Sequence, residues 1–151
     1  MTRKVSSDTP WEPVVGYSRA VAAGDFVFVS GCTSVAAGEF LHEGDAFAQT
    51  ARAIANVAAA LAELGGALSD VVRTRIYVTD ISRWQEYGRA HGAAFGGVMP
   101  ATSMIEVAAL VDPRMLVEVE AVAYHPGIGT SNPSNPSNPS NPTSDATGVS
   151  G

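Results

Sequence analysis

Two segments of this chain, Phe26-Val27-Phe28-Val29 and Ile76-Tyr77-Val78, are apolar on both faces of any strand they form. Strand side chains alternate between faces, so such a strand needs cover above and below. Only two stretches carry helical periodicity. The first starts at Asp45, a suitable N-cap, and stops at Gly65-Gly66. Its Phe47, Ala51, Ile54, Ala58 and Leu61 recur at steps of three and four, which predicts one apolar stripe, with Gln49, Arg52, Asn56 and Glu63 mostly opposite. The second opens with Ser82 and Gln85 at capping-box spacing, places Trp84, Tyr87, His91 and Phe95 on one stripe, and stops at Gly96-Gly97. Two helices cover one sheet face. The other face would expose a large apolar patch, and this implies a homo-oligomer whose bare faces pack together.

The remaining segments place the strands. Residues 14–21 and 26–30, separated by Gly24-Asp25, predict a hairpin; residues 71–79, 100–107 and 116–124 predict three more strands, and Phe40-Leu41 a short extra one. The order is β-β-α-β-α-β-β, an α+β fold with a mixed sheet and two helices on one face. Ser30-Gly31 ends the second strand where glycine permits close backbone approach. The two late segments are read as partners joined through a reversal at Asp112-Pro113. They carry Glu106, Glu118 and Glu120, and alternation puts Glu118 and Glu120 on one face with Leu116, Val122 and Tyr124. A solvent-exposed face accommodates those carboxylates without further explanation, whereas a cleft at a subunit seam makes them functional.

Composition narrows the classes. At 151 residues and 46% hydrophobic content, one domain with a real core is expected. Residues 1–12 read as a flexible lead containing Pro10, residues 13–125 as the folded domain, and residues 126–151 as a disordered tail of Ser-Asn-Pro repeats. A net charge of −6 argues against nucleic-acid binding. No apolar run reaches membrane-span length and no signal-peptide core is present, and the single Cys32 points to a reducing, cytoplasmic setting. Lys4 is the one lysine, in a polar lead, which argues against Schiff-base catalysis. His42, His91 and His125 lack ligand spacing, so no metal site is expected, and the phosphate-loop, dinucleotide and nucleophile-elbow motifs are absent. Cys32 is expected to be a buried structural thiol.

Several blocks then carry a family resemblance: Gly16-Tyr17-Ser18-Arg19-Ala20, Val27-Phe28-Val29-Ser30-Gly31, Arg73-Thr74-Arg75-Ile76-Tyr77-Val78-Thr79-Asp80, Pro100-Ala101-Thr102-Ser103-Met104-Ile105-Glu106-Val107 and Val117-Glu118-Val119-Glu120-Ala121-Val122-Ala123. In order and spacing they resemble the Rid (reactive intermediate deaminase, YjgF-type) family over residues 13–125. The resemblance implies a chorismate-mutase-like fold, a homotrimer with ligand clefts between subunits, and cofactor-free hydrolysis of enamines or imines to a carbonyl compound and ammonia. It implies Glu118 as the catalytic glutamate that positions water, with Tyr17 and Ser30 lining the cleft. The family's carboxylate-gripping arginine falls at Thr102, a common cysteine at Met104, and an asparagine of the second helix at Gly88; these complete the implied substrate-binding set.

The implied function is therefore a Rid-like small-molecule enzyme whose substrate does not need an arginine clamp. The alternative is a non-catalytic ligand-binding or interaction trimer using the same cleft. Ribonuclease activity, described for some relatives, sits poorly with the acidic balance. Arg19, Arg75 and Arg114 are candidates for a displaced cation, and the plainer reading of each is a surface or interface ion pair.

Overall fold

The computed structural model describes residues 2–7 and 9–130; the expectation for the repeats in residues 131–151 lies outside them. Along the described residues the elements run β1 (Thr2–Val5), α1 (Trp11–Val15), β2 (Ala20–Ala23), β3 (Phe26–Cys32), β4 (Val35–Ala36), β5 (Glu39–Phe40), α2 (Ala46–Glu63), β6 (Val71–Val78), α3 (Trp84–Phe95), β7 (Ala101–Glu106) and β8 (Val117–Tyr124). Six strands form one sheet in the order β1-β2-β3-β8-β6-β7, and β4 and β5 form a separate small hairpin. Only the β6–β7 pair is parallel; its neighbours run antiparallel. This is the mixed-sheet α+β fold that the element order implies.

The alternation along β8 sorts the sheet into two faces. Val117, Val119, Ala121 and Ala123 are buried together with Val27, Val29, Ile76 and Val78, in one core with Ile54, Val57, Leu61, Tyr87 and Phe95 of the helices. Helix α2 packs over β3 and β8, and α3 lies beside α2. The opposite face carries Phe26, Phe28, Val122, Tyr124, Arg75, Tyr77, Glu118 and Glu120, none of them buried. Phe28 is 49% exposed there, and the Phe26 and Tyr124 rings meet at a tilt with centroids 5.2 Å apart. The strands do have two apolar faces, and the described residues cover one.

The structure departs from the sequence reading in six places. Strand β7 does not pair with β8. Helix α3 returns the chain to the start of β6, so β7 runs parallel to β6 and takes its free edge, while β8 inserts between β6 and β3. Residues 14–21 are not one strand. Helix α1 ends at Gly16, whose φ of 81° is left-handed and whose N–H caps the Glu12 carbonyl, and β2 starts only at Ala20. Residues 2–5 of the expected loose lead are β1, paired with β2, with Val5 buried.

The buried stripe of α2 is rotated from the expected one. It runs through Ala46, Gln49, Thr50, Ala53, Ile54, Val57, Ala60 and Leu61, leaving Phe47 and Ala51 exposed. Gln49 belongs inside because it acts as a buried connector. Its Nε2 donates to the carbonyls of His42 and Arg114, and its Oε1 accepts the Leu116 N–H at 2.9 Å. Before α3 the capping residue is Asp80, on a short turn leading into the helix, not Ser82 with Gln85. The Asp80 carboxylate accepts from the Ser82 N–H and hydroxyl and starts a 3-10 turn over Ile81–Arg83. Finally, Ile128 of the expected tail is 1% exposed and sits in the core. The Gly129 N–H bonds to Gly24 and the Gly127 N–H to the Asp25 carboxylate, so the chain stays docked past His125.

Candidate functional site

The site begins with a flaw in the β3–β8 ladder. The two strands pair from Phe26 with Tyr124 to Val29 with Ala121, then resume at Cys32 with Val119. Three steps on β3 match two on β8, so a bulge falls at Ser30-Gly31. A Cβ on Gly31 would lie 2.3 Å from Glu118 Oε1, so a larger residue there would push the Glu118 side chain from its place. The Glu118 carboxylate thus rests directly against the Gly31 backbone. It is partly buried, and among the described residues it accepts no side-chain or backbone hydrogen bond from its own chain. Burial pushes its pKa above the usual carboxylate range; Arg19 partly offsets this and Glu120 adds to it.

Arg19 frames the same spot. Its Nη1 donates to the Gly31 carbonyl at 2.6 Å and the Ser30 carbonyl at 3.3 Å. Its Nη2 donates to the Tyr17 hydroxyl at 3.1 Å and its Nε to the Ser7 hydroxyl at 3.2 Å. The arginine therefore holds both the bulge and the tyrosine in place. Glu12, buried on α1, lies 4.0 Å from Arg19 Nε. Burial alone would raise the Glu12 pKa, but hydrogen bonds from Ser6 and Ser7 together with Arg19 hold it below the usual range. Cys32, the buried thiol expected from sequence, is pushed up chiefly by burial, which argues against a reactive thiolate.

These groups open onto a cavity of about 420 Å³, lined by Tyr17, Arg19, Gly31, Cys32 and Glu118 together with Trp11, Val15, Asn56, Ala59, Glu63, Val111 and Met115. Of the three candidate cations, Arg19 is the one in this cavity. Arg75 pairs with Glu120 at 2.8 Å, and Arg114 pairs with Asp112 at 2.7 Å, holding that carboxyl at about 2. Among the described residues no group of three His, Cys, Asp or Glu side chains is placed to hold a metal ion. No helix among them is long and apolar enough to cross a membrane.

Tyr17 and Glu118 share the cavity, and the other four site residues expected from sequence lie elsewhere in the chain. The Ser30 hydroxyl donates to the Ser18 carbonyl at 2.7 Å, and Ser30 lines a separate hollow of about 240 Å³ with Arg73, Arg75 and Glu120. Thr102 and Met104 are on β7, beyond β6, so two strand spacings, roughly 9.6 Å, separate them from β8. Register pairs Thr102 with Thr74 and Met104 with Ile76, placing both on the helix-covered face, opposite Glu118. Gly88 is on α3, above that edge, with Trp84 4.0 Å from where its Cβ would be. Within one chain, Thr102, Met104 and Gly88 cannot join Glu118.

The Thr102 edge has its own polar chain, which sequence reasoning did not find. Thr74 Oγ1 lies 2.8 Å from both His91 Nε2 and Thr102 Oγ1, and Thr102 also reaches the Pro100 carbonyl at 3.2 Å. Burial lowers the His91 pKa, so its imidazole is neutral at pH 7. Sequence reading also missed Arg19 as the clamp on Tyr17 and the bulge. The available signal was Gly31 itself, a glycine closing an otherwise β-branched and aromatic strand.

Comparison with known proteins agrees with this fold. The family model described as Endoribonuclease L-PSP matches residues 8–125. A crystal structure of a YjgF/YER057c/UK114 family member from Mycobacterium tuberculosis is 50% identical, with a TM-score of 0.75 over 82% of this chain and 99% of that one. The Escherichia coli YjgF gene product is 26% identical, with a TM-score of 0.71 over 81% of this chain and 98% of that one. A RutC family protein from Pyrococcus abyssi is 36% identical over 75% of this chain and 89% of its own length. By family model, sequence identity and fold alike, the chain belongs to the Rid/YjgF family.

Proposed function

We propose that this chain works as a homotrimer in which the Glu118 cavity, completed by the β7–α3 edge of a neighbouring copy, hydrolyses an enamine or imine to a carbonyl compound and ammonia. The observation that carries the reading is Glu118 itself: a partly buried carboxylate of raised pKa, without a hydrogen-bond partner in its own described chain, seated over Gly31 in a cavity. An unpaired buried carboxylate is costly and suits a general base poised for a ligand. Assembly is supported by the uncovered aromatic sheet face and by the split of the expected site between two ends of the sheet.

In this reading Glu118 takes a proton from water as the oxygen bonds to the imine carbon, and the C=N π pair moves to nitrogen. Glu118 hands that proton to nitrogen, giving the carbinolamine, which then collapses: Glu118 accepts the hydroxyl proton as C=O re-forms, the C–N bond breaks, and this second proton passes to the departing nitrogen, which leaves as ammonia. Tyr17, fixed by Arg19, orients the substrate. The step calls on no cofactor. The buried free Cys32 supports a reducing, cytoplasmic setting.

A second reading, a ligand-binding trimer without turnover, is favoured by one feature. Thr102 offers no guanidinium, and its hydroxyl is already engaged with Thr74 and Pro100. The test generates imines in situ and follows their decay with wild type and Glu118→Gln. Glu118-dependent acceleration supports hydrolysis, and equal decay with and without protein supports binding alone.

A further inference from the structure

Among the described residues, the charged groups lining the cavity that holds Glu118 are Arg19, Glu63 and Glu118, and neutral donors such as the Trp11 indole and the Tyr17 and Thr33 hydroxyls stand beside them. Among the described residues Arg19 is its one cation, and four of its five hydrogens are committed: Nε to Ser7, Nη1 to the Gly31 and Ser30 carbonyls, Nη2 to Tyr17. A two-point grip on a carboxylate needs two parallel N–H groups, and Arg19 retains only a single Nη2 hydrogen. Its charge is also answered by Glu12, which stays ionised. Asn56 is closed in the same way. Its Nδ2 donates to the Thr33 and Val35 carbonyls and its Oδ1 accepts from Arg52.

Among the described residues two carboxylates lie on the lining, Glu118 and Glu63. The rest of the wall includes Trp11, Val15, Ala59, Val111 and Met115. At about 420 Å³ the space falls in the range of roughly 300–1,000 Å³ typical of small-molecule sites. With Arg19 answered by Glu12, a cavity left with carboxylates and apolar walls complements a positive head on a hydrocarbon body.

We propose that the cavity takes an apolar amine in its protonated form, or the iminium derived from it, with nitrogen against Glu118 and the hydrocarbon body along Trp11, Val15, Ala59 and Val111, and that it rejects carboxylates. The inference rests on the reading of Glu118 as the base of the site, and it names the substrate class: imines of apolar amines rather than of amino acids. The reaction that supplies such an imine is the oxidation of an amine.

The experiment titrates the full-length protein calorimetrically with a matched pair, 2-phenylethylamine and 3-phenylpropionate, at pH 7. The amine should bind at least about tenfold more tightly, since one charge-assisted hydrogen bond separates the pair. Ala59→Trp, at an exposed helical position on the lining, should abolish amine binding while leaving the melting temperature unchanged. Glu118→Gln should erase the preference. Equal or tighter binding of the acid overturns the proposal, as does no binding of either probe. An amine affinity untouched by Ala59→Trp also overturns it, because the cation then sits outside the cavity. Its failure is separable from that of hydrolysis. Imine turnover with acid preferred sinks the substrate class alone, whereas amine preference without turnover sinks hydrolysis alone.

Discussion

At the β3 bulge, a glycine and a clamped arginine make room for a carboxylate that nothing in its own described chain satisfies. At the β7 edge, Thr102, Thr74 and His91 hydrogen-bond to one another and to Pro100. The first arrangement carries a cost that a ligand or a partner would remove; the second is content as it stands. In the proposed reading, the contrast assigns the chemistry to the Glu118 half. The Thr102 half, where the family resemblance places an arginine, is a neutral strut supporting α3 on β6.

The largest expected effect falls on the first half. Glu118→Gln should lower imine hydrolysis at least about 100-fold, the low end for losing a general base, with the assembled mass unchanged. Surviving turnover would show that the carboxylate only shapes the cavity. Next comes the second half. Wild type should barely accelerate 2-iminopropionate decay, and Thr102→Arg should raise that rate about tenfold or more by restoring a charged grip. If Thr102→Arg adds nothing, then Met104 and Gly88 are the remaining departures to change.

A smaller effect tests the strut. Thr74→Val leaves His91 Nε2 and the Thr102 hydroxyl without their shared partner, and should cost about 1–3 kcal/mol of stability with little change in KM. A matching fall in kcat would instead bring the Thr74–His91 chain into the reaction. The smallest effect is on pH. The Glu118 pKa is raised above its ordinary 4.5, so the native state binds this proton more tightly than the unfolded chain. Its contribution to stability is fully present below 4.5 and is lost as pH rises through the folded value. Glu118→Gln should therefore raise the melting temperature at pH 7, and the gain should shrink as pH falls toward 4.5. A variant less stable than wild type at pH 7 would mean that Glu118 is an ion-pair strut after all.

Much of the scaffold was legible because it is local. Asp45 caps α2 as expected, and β3, β6 and β8 fall where β-branched residues alternate. What sequence did not reveal depends on distant partners. Gln49 looks like a surface residue until the carbonyls of His42 and Arg114 are brought to it. Ile128 is a lone apolar residue among glycines, too isolated to carry a period, yet the β2–β3 turn gives it a pocket edge to dock against. Strand order escaped for a related reason. Pairing β7 with β8 is the local choice, and it loses because α3 commits β7 to a parallel position on the free edge of β6. For the site, Glu118 and Tyr17 were found as residues, while the bulge that joins them to Arg19 exists only in the register of two strands.

The central claim is that the two halves meet only between copies of the chain. Static light scattering of the full-length protein at micromolar concentration addresses it directly. The account predicts a mass three times the 15.6 kDa of one chain. A stable monomer at that concentration would leave Glu118 and Thr102 at opposite ends of one sheet, and would contradict it.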